Sequence, residues 1–255
     1  LKTSEILNLK GVRKVTVLTA YDTQMAKIQD DAGVDIILVG DSLGMVVLGY
    51  DSTRYVTIED MIRHTSAVTR GTTKSYIVAD MPINSFNAPE DAVRNARALI
   101  EAGANSVKIE GREVEAIKAL IAAGIPVMGH VGLLPQTAEV MKVKGKKKSE
   151  AALIMEDAKA LDKLGVYAIV LECIPEALGA EITANVEAVT IGIGAGAGCD
   201  GQVLVVNDML GMETGYVPKH AKIYANLNEI IGKAVRDYIE DVKAGKFPSK
   251  EYSFH

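Results

Sequence analysis

A (β/α)8 barrel is the fold class this sequence predicts, as a single domain over residues 1–255, and three observations predict it. Apolar, β-branched runs alternate with helical patterns along the whole chain, as in a parallel sheet covered by helices. Eight such runs can be counted, and 255 residues is the usual size of one closed barrel. Charged residues stand where five of the runs end: Asp41, Asp80, Glu110, His130 and Glu172. Charge is costly on a buried strand, so charge repeated at strand ends marks ends that converge on one polar site. In a parallel α/β protein those ends share one face, where active sites are built. An open doubly wound sheet is the competing architecture, and length and strand count favour the barrel.

The strands are expected near Val15–Ala20, Ile36–Asp41, Tyr76–Met81, Ser106–Glu110, Pro126–Val131, Ala168–Glu172, Thr190–Gly194 and Gln202–Val206. Glycines 33, 103, 124 and 165 stand just before the next strand, where a left-handed helix cap explains each one. Thr57, three residues before Asp60, has the spacing of a capping box. Asn87 precedes Pro89 and Glu90, and Ala92, Val93, Ala96, Leu99 and Ile100 follow at helical spacing. Residues 207–226 read as irregular or short-helical, with Gly211, Gly215 and Pro218. Leu227, Ile230, Ile231, Ala234, Val235, Tyr238, Ile239 and Val242 then mark a final amphipathic helix.

Composition narrows the function classes. With 48% hydrophobic and 24% charged residues and a net charge of −5, the chain reads as a globular protein and not as a general binder of nucleic acid or anionic membrane. No apolar run reaches the roughly 18 residues of a membrane span, and no signal-peptide pattern opens the chain. Leu1 in place of Met leads us to expect a few residues before it. The two cysteines, Cys173 and Cys199, make no metal pattern, and a cytoplasmic enzyme is the expectation.

Asp41 and Asp80 end consecutive strands, so a barrel holds them close together. Two near carboxylates repel unless a cation or a proton sits between them. Oxygen ligands with a single strand-end histidine suit Mg²⁺ better than Zn²⁺, and Glu110 is a third candidate ligand. The plainer alternative is that each aspartate caps a helix or pairs with Lys108. Lys108 and Glu110 lie two apart on one strand and point to the same side. Lys108 there could hold a substrate carboxylate or an enolate oxygen, or simply pair with Glu110. Partial burial of Glu172 would raise its pKa and suit it to general-base work, the alternative being a helix cap. His130, between Gly129 and Gly132, sits where backbone can approach a ligand. The glycine-rich stretch 192–198 lacks the following helix of a dinucleotide site, but its N–H groups could receive an anion. The basic run Lys142–Lys148 reads as a solvated loop or as a contact to an anionic substrate tail.

Several stretches resemble the ketopantoate hydroxymethyltransferase family in order along nearly the whole chain. They include Thr19-Ala20-Tyr21-Asp22, Gly40-Asp41-Ser42-Leu43-Gly44-Met45, Val107-Lys108-Ile109-Glu110-Gly111, Gly129-His130-Val131-Gly132 and Leu171-Glu172-Cys173-Ile174-Pro175. Asp200-Gly201-Gln202-Val203-Leu204-Val205 and the closing Tyr252-Ser253-Phe254-His255 extend the match. The resemblance implies a barrel of the phosphoenolpyruvate/pyruvate type. It implies transfer of a one-carbon unit from 5,10-methylenetetrahydrofolate to 3-methyl-2-oxobutanoate, giving 2-dehydropantoate on the way to pantothenate. It implies Asp41 and Asp80 as direct Mg²⁺ ligands, Glu110 as a water-mediated one, Ser42 and Lys108 on the keto acid, Glu172 as proton acceptor and His130 in the same site. It also implies a homo-oligomer, a decamer of stacked pentamers. The chain departs from the family after Leu134-Pro135-Gln136-Thr137. A glycine-rich segment gives way to Ala138-Glu139-Val140-Met141-Lys142-Val143-Lys144-Gly145 and three further lysines. Those lysines could meet a polyglutamyl tail on the carrier. Two alternatives are an Mg²⁺-dependent carbon–carbon lyase or phosphonate mutase on the same barrel, and a silent barrel that only senses a keto acid or assembles with partners.

Overall fold

The structure is a computed structural model that describes residues 1–212 and 217–254. Gly215 and His255, both named above, lie outside the described residues. The chain divides into two compact units, Leu1–Val205 and Val206–His255. The sequence reading drew one barrel domain over 1–255; all eight strands fall in the first unit.

In chain order the first unit runs α1 (Thr3–Leu7), β1 (Val15–Thr19), α2 (Thr23–Ala32), β2 (Ile36–Val39), α3 (Leu43–Val46), α4 (Ile58–Gly71), β3 (Tyr76–Asp80) and α5 (Pro89–Glu101). It continues through β4 (Ser106–Lys108), α6 (Val114–Ala122), β5 (Val127–Gly132), α7 (Lys148–Leu164), β6 (Ala168–Glu172), α8 (Glu176–Asn185), β7 (Val189–Ile193) and β8 (Gly201–Leu204). All neighbouring strands pair in parallel, and β8 returns to β1 to close the barrel. The eight expected strands are all present, with ends moved by one or two residues. Asp41 and Glu110 stand just past the ends of β2 and β4 rather than inside them.

Strand periodicity explains why the core turns into a site at one end. The barrel core contains Tyr76 and Val78 of β3, Met128 of β5, and Ala168 and Val170 of β6. Alternate residues of a strand share a face, so Asp80, His130 and Glu172 continue those same rows toward the C-terminal ends. The other end is filled. Ile6 of α1 is fully buried in the core cluster, and the Thr3 hydroxyl lies 2.7 Å from that of Tyr76, at the first residue of β3. Tyr76 stacks edge-on against Tyr167 at 5.7 Å, and Tyr167 hydrogen-bonds Ser106 at 2.9 Å. Apolar packing and paired hydroxyls thus close the N-terminal end.

Local signals behave as their chemistry requires. Gly33 and Gly165 cap α2 and α7 in the left-handed region. The Thr57–Asp60 capping box forms at α4, with reciprocal bonds of 3.2 and 3.1 Å. At α5, Pro89 takes the first helical position and Ala88 is the cap, so Asn87 stands one residue too early to serve. Glycines 179, 196 and 198 pack α8 against the β7–β8 turn, where a Cβ would strike backbone or side chain across the contact. Close packing therefore accounts for much of the glycine-rich stretch.

The second unit contains α9 (Val206–Met209) and α10 (Leu227–Lys243). The expected amphipathic helix forms, but none of its residues is buried. Ile230, Ile231, Val235, Tyr238, Ile239 and Val242 all face outward. Tyr238, Phe247 and Tyr252 form an aromatic cluster, with ring centroids 5.8 and 5.9 Å apart.

Asp30 offers a test of how the loop before β3 is held. Its buried carboxylate accepts from Thr73 N and Oγ1, Lys74 N and Ser75 N at 2.7–3.0 Å. Burial opposes its charge, yet these bonds win and hold its carboxyl well below the ordinary range. Asp30→Ala strips the partners from these donors and should cost about 3 kcal/mol in urea denaturation at neutral pH. The penalty should shrink as pH falls through the carboxylate range, because the lowered pKa makes this a contribution that acid removes.

Candidate active site

Five charged side chains, all at most 6% exposed, meet at the C-terminal mouth of the barrel: Asp41, Asp80, Lys108, Glu110 and His130. Asp80 and Lys108 are register partners on β3 and β4, and Lys108 Nζ lies 2.6 Å from Asp80 Oδ1. Asp41 N donates to Asp80 Oδ2 at 3.0 Å, which brings the two aspartates together as the sequence predicts. Neither aspartate caps a helix: Ser42 is the cap of α3 and Ala88 that of α5. Of the plainer readings, the pairing of Asp80 with Lys108 is the one that occurs. His130 stands between two glutamates, Nδ1 at 3.6 Å from Glu110 Oε1 and Nε2 at 3.1 Å from Glu172 Oε2.

Glu172 is the most open member, its side chain 17% exposed at the last residue of β6. Pro175 caps the helix that follows, which leaves Glu172 free of a capping role. Gly132 lies opposite it in the β5–β6 ladder at φ 98, and a Cβ there would overlap the Glu172 carbonyl oxygen. Cys173 follows at φ 48, also in the left-handed region, and its N–H donates to Ile193 O at 2.8 Å. Ser42 is half-buried, and its hydroxyl lies 2.8 Å from that of buried Tyr21.

Two side chains of this region carry no strand-end signal in the sequence. Gln136, 2% exposed in the loop after β5, donates from Nε2 to Asp41 Oδ2 at 2.8 Å and to Met81 O at 3.0 Å. Its own N–H donates to Glu110 Oε2 at 3.0 Å. Tyr21, at the end of β1, was visible only as part of a family-like motif.

Charge is unbalanced here. Burial, and then the charge of Asp80, push the Asp41 carboxyl up to about 8. Burial alone would discharge Lys108, but the surrounding carboxylates, Asp80 foremost, hold it protonated and raise its pKa. Burial likewise opposes charge on His130, and the two flanking glutamates overcome it, raising the imidazole to about 9. Glu110, held by that imidazolium, stays ionised despite its burial. An acid pushed up for want of positive charge, beside hard oxygen donors, is an arrangement that a divalent cation would fit. Among the described residues no group of three or more His, Cys, Asp or Glu side chains forms a ready-made cage. Mg²⁺ takes one or two carboxylates and completes its shell with water and substrate oxygens, and carboxylate oxygens are the donors that Asp41 and Asp80 offer. Asp80 Oδ1, buried and with no aligned hydrogen bond besides its ion pair, fits such a role.

The sequence profile of the ketopantoate hydroxymethyltransferase family matches residues 1–250. The chain belongs to this family. Its relatives include the 3-methyl-2-oxobutanoate hydroxymethyltransferase of Syntrophus aciditrophicus, 54% identical over 96% of this chain and 93% of that protein. The enzyme of the same name from Caldicellulosiruptor saccharolyticus is 53% identical over 94% of each chain. Solved structures share the family's barrel at low identity. Phosphonopyruvate hydrolase superposes with a TM-score of 0.65 at 13% identity, covering 100% of this chain and 91% of that one. 2,3-Dimethylmalate lyase, a member of the PEP mutase/isocitrate lyase superfamily, gives 0.64 at 16%, covering 99% and 92%. Those likenesses establish the fold alone, while the family match makes the chain a one-carbon transferase.

The raised pKa values set a pH dependence. A group whose folded pKa is raised contributes stability at low pH that is lost as pH climbs from its unfolded toward its folded value. For Asp41 that span is 3.8 to about 8, and for His130 it is 6.5 to about 9. The metal-free protein should therefore lose stability steadily between pH 6.5 and 8, where both losses act. Thermal melting across that window checks it, and a flat or rising profile would count against the charge balance described.

Proposed function

We propose that the protein catalyses hydroxymethyl transfer to 3-methyl-2-oxobutanoate, giving 2-dehydropantoate. The observation that carries this reading is the placement of a partly open carboxylate, Glu172, at the same barrel mouth as the buried Asp41–Asp80–Lys108 cluster. Asp41 and Asp80 would hold Mg²⁺, with Glu110 supporting through water. When bound, the cation supplies Lewis-acid polarisation of the substrate's carbonyl and neutralises carboxylate charge. Lys108 and Ser42 hold the keto acid. Glu172 takes the proton from C3 of the substrate, and the negative charge left on the C2 oxygen faces Lys108. His130, held as imidazolium between Glu110 and Glu172, keeps the Glu172 carboxylate in place and partly balances the mouth. For the transfer, water would release the one-carbon unit as formaldehyde, its oxygen replacing both carrier nitrogens, which take up the two water protons. The carbon nucleophile then attacks that carbonyl carbon, and the oxygen takes the proton held by Glu172 to become the new hydroxyl.

The carrier is proposed to be 5,10-methylenetetrahydrofolate. A cavity of about 350 Å³ lies beside the site, lined by Gly132, Leu134, Thr137, Val140, Lys142 and Lys144. The loop that forms it is tied to the catalytic strand end, because Lys144 N donates to Cys173 O at 2.9 Å. Lys146, Lys147 and Lys148 are exposed just beyond, in position for an anionic tail. We further infer a cytoplasmic homo-oligomer, a decamer being the family expectation, supported by the outward apolar row of α10. No helix among the described residues is long and apolar enough to cross a membrane.

Glu172→Gln keeps the shape of the side chain and removes its basicity. Proton NMR of 3-methyl-2-oxobutanoate in D₂O with Mg²⁺ should show loss of the C3 proton signal with the wild-type protein. In the variant the loss should be slower by about 10²–10⁴-fold. Exchange at the wild-type rate in the variant would remove Glu172 as the base. For the carrier, Lys146→Ala with Lys147→Ala should raise the KM for a polyglutamylated carrier while leaving that for the monoglutamate unchanged. Equal KM changes for both would exclude tail recognition by these lysines.

A further inference from the structure

We propose that Gln136 is a positioning residue for cation binding, and that Arg54 holds the loop that carries it. The proposal rests on the reading of Asp41, Asp80 and Glu110 as a cation site. Gln136 lies in no helix or strand, yet it is almost wholly buried and uses every polar group it has except its amide oxygen. Its two side-chain N–H bonds go to Asp41 Oδ2, past the end of β2, and to Met81 O, the residue after Asp80 at the end of β3. Its backbone N–H goes to Glu110 Oε2, past the end of β4. One residue from the β5–α7 loop therefore binds three consecutive strand ends, each beside or on a candidate ligand. Its carbonyl accepts from Arg54 Nε at 2.9 Å, and Arg54 Nη2 reaches Ala138 O at 2.8 Å. Arg54 comes from the 3-10 turn Thr53–Tyr55 that precedes α4.

The physical case is one of pre-organisation. Asp41 and Asp80 repel each other, and a free carboxylate would turn away. Neutral amide donors can fix two of the carboxylates without adding charge, whereas a lysine or arginine in the same place would compete with a cation for them. Hydrogen bonds to ligating carboxylates typically govern metal affinity by about 10–100-fold. The geometry also predicts dependence: Arg54 touches no carboxylate in this network and acts only through the backbone carbonyls of Gln136 and Ala138, on either side of Thr137.

The test is Mn²⁺ binding to the full chain without substrate, read by electron paramagnetic resonance of the free ion. Gln136→Met keeps length and volume but removes both side-chain donors. Its Kd for Mn²⁺ should rise by about 10–100-fold, while circular dichroism shows the wild-type fold. Arg54→Met, at an exposed position, should raise the Kd by about 10-fold, the lower end of that range. The double variant should bind no more weakly than Gln136→Met alone. Wild-type affinity in Gln136→Met overturns the proposal, as does wild-type affinity in Arg54→Met should the first variant not fold. A wild-type protein that binds Mn²⁺ not at all would overturn the cation site itself, and this inference with it.

Discussion

The buried ion pair between Lys108 and Asp80 is the interaction on which the barrel mouth depends. The two residues are ladder partners, so their closeness is a property of the sheet and needs no loop to arrange it. Removing either would strand a charge in a buried place, a change that costs about 3–5 kcal/mol in such pairs. The pairing also decides the fate of Asp41. Burial and the charges of Asp80 and Glu110 outweigh the help that Lys108 and the Gln136 amide give Asp41, and its carboxyl favours a proton. Stability and chemistry are therefore set by the same imbalance. The fold tolerates an excess of buried negative charge at one end, which the proposed cation would offset.

A barrel of this kind is shared with phosphonopyruvate hydrolase and 2,3-dimethylmalate lyase at 13% and 16% identity. The architecture leaves the chemistry open, because strand ends present side chains to a common mouth whatever those side chains are. In this chain the backbone around Glu172 is tightly held. Gly132 and Cys173 both adopt left-handed backbone beside it, and the Lys144 N–H ties the neighbouring loop to the Cys173 carbonyl. These constraints place the one partly open carboxylate of the cluster at the rim, next to the cavity under the loop.

The fold was largely legible because its signal is periodic. Eight β-branched runs separated by helices allow few arrangements, and the charged residues that interrupt those runs fall at the strand ends. All the strand-end candidates, Asp41, Asp80, Lys108, Glu110, His130 and Glu172, lie in one region, and Ser42 lies beside them. Gln136 was not legible. Its role comes from a loop whose path is set by Arg54 and by contacts with three different strand ends, and no spacing in the sequence encodes that. The start of α5 was legible, because Pro89 opens the helix where the sequence suggests it. The apolar row of α10 was read correctly as amphipathic, but periodicity says nothing of what an apolar face meets, and here the row is exposed.

The stopper at the N-terminal end has a kinetic meaning. With Ile6 in the core and the tyrosine–hydroxyl contacts beneath it, the interior is shut on that side. Everything that reaches the charged layer must arrive by the mouth, and everything that leaves must go back the same way. For a reaction joining two reactants, depth then becomes order. On the proposed reaction, the smaller reactant would arrive before the larger one covers the opening, and the enlarged product would depart after the spent donor. A single doorway turns the static layering of the barrel into a queue.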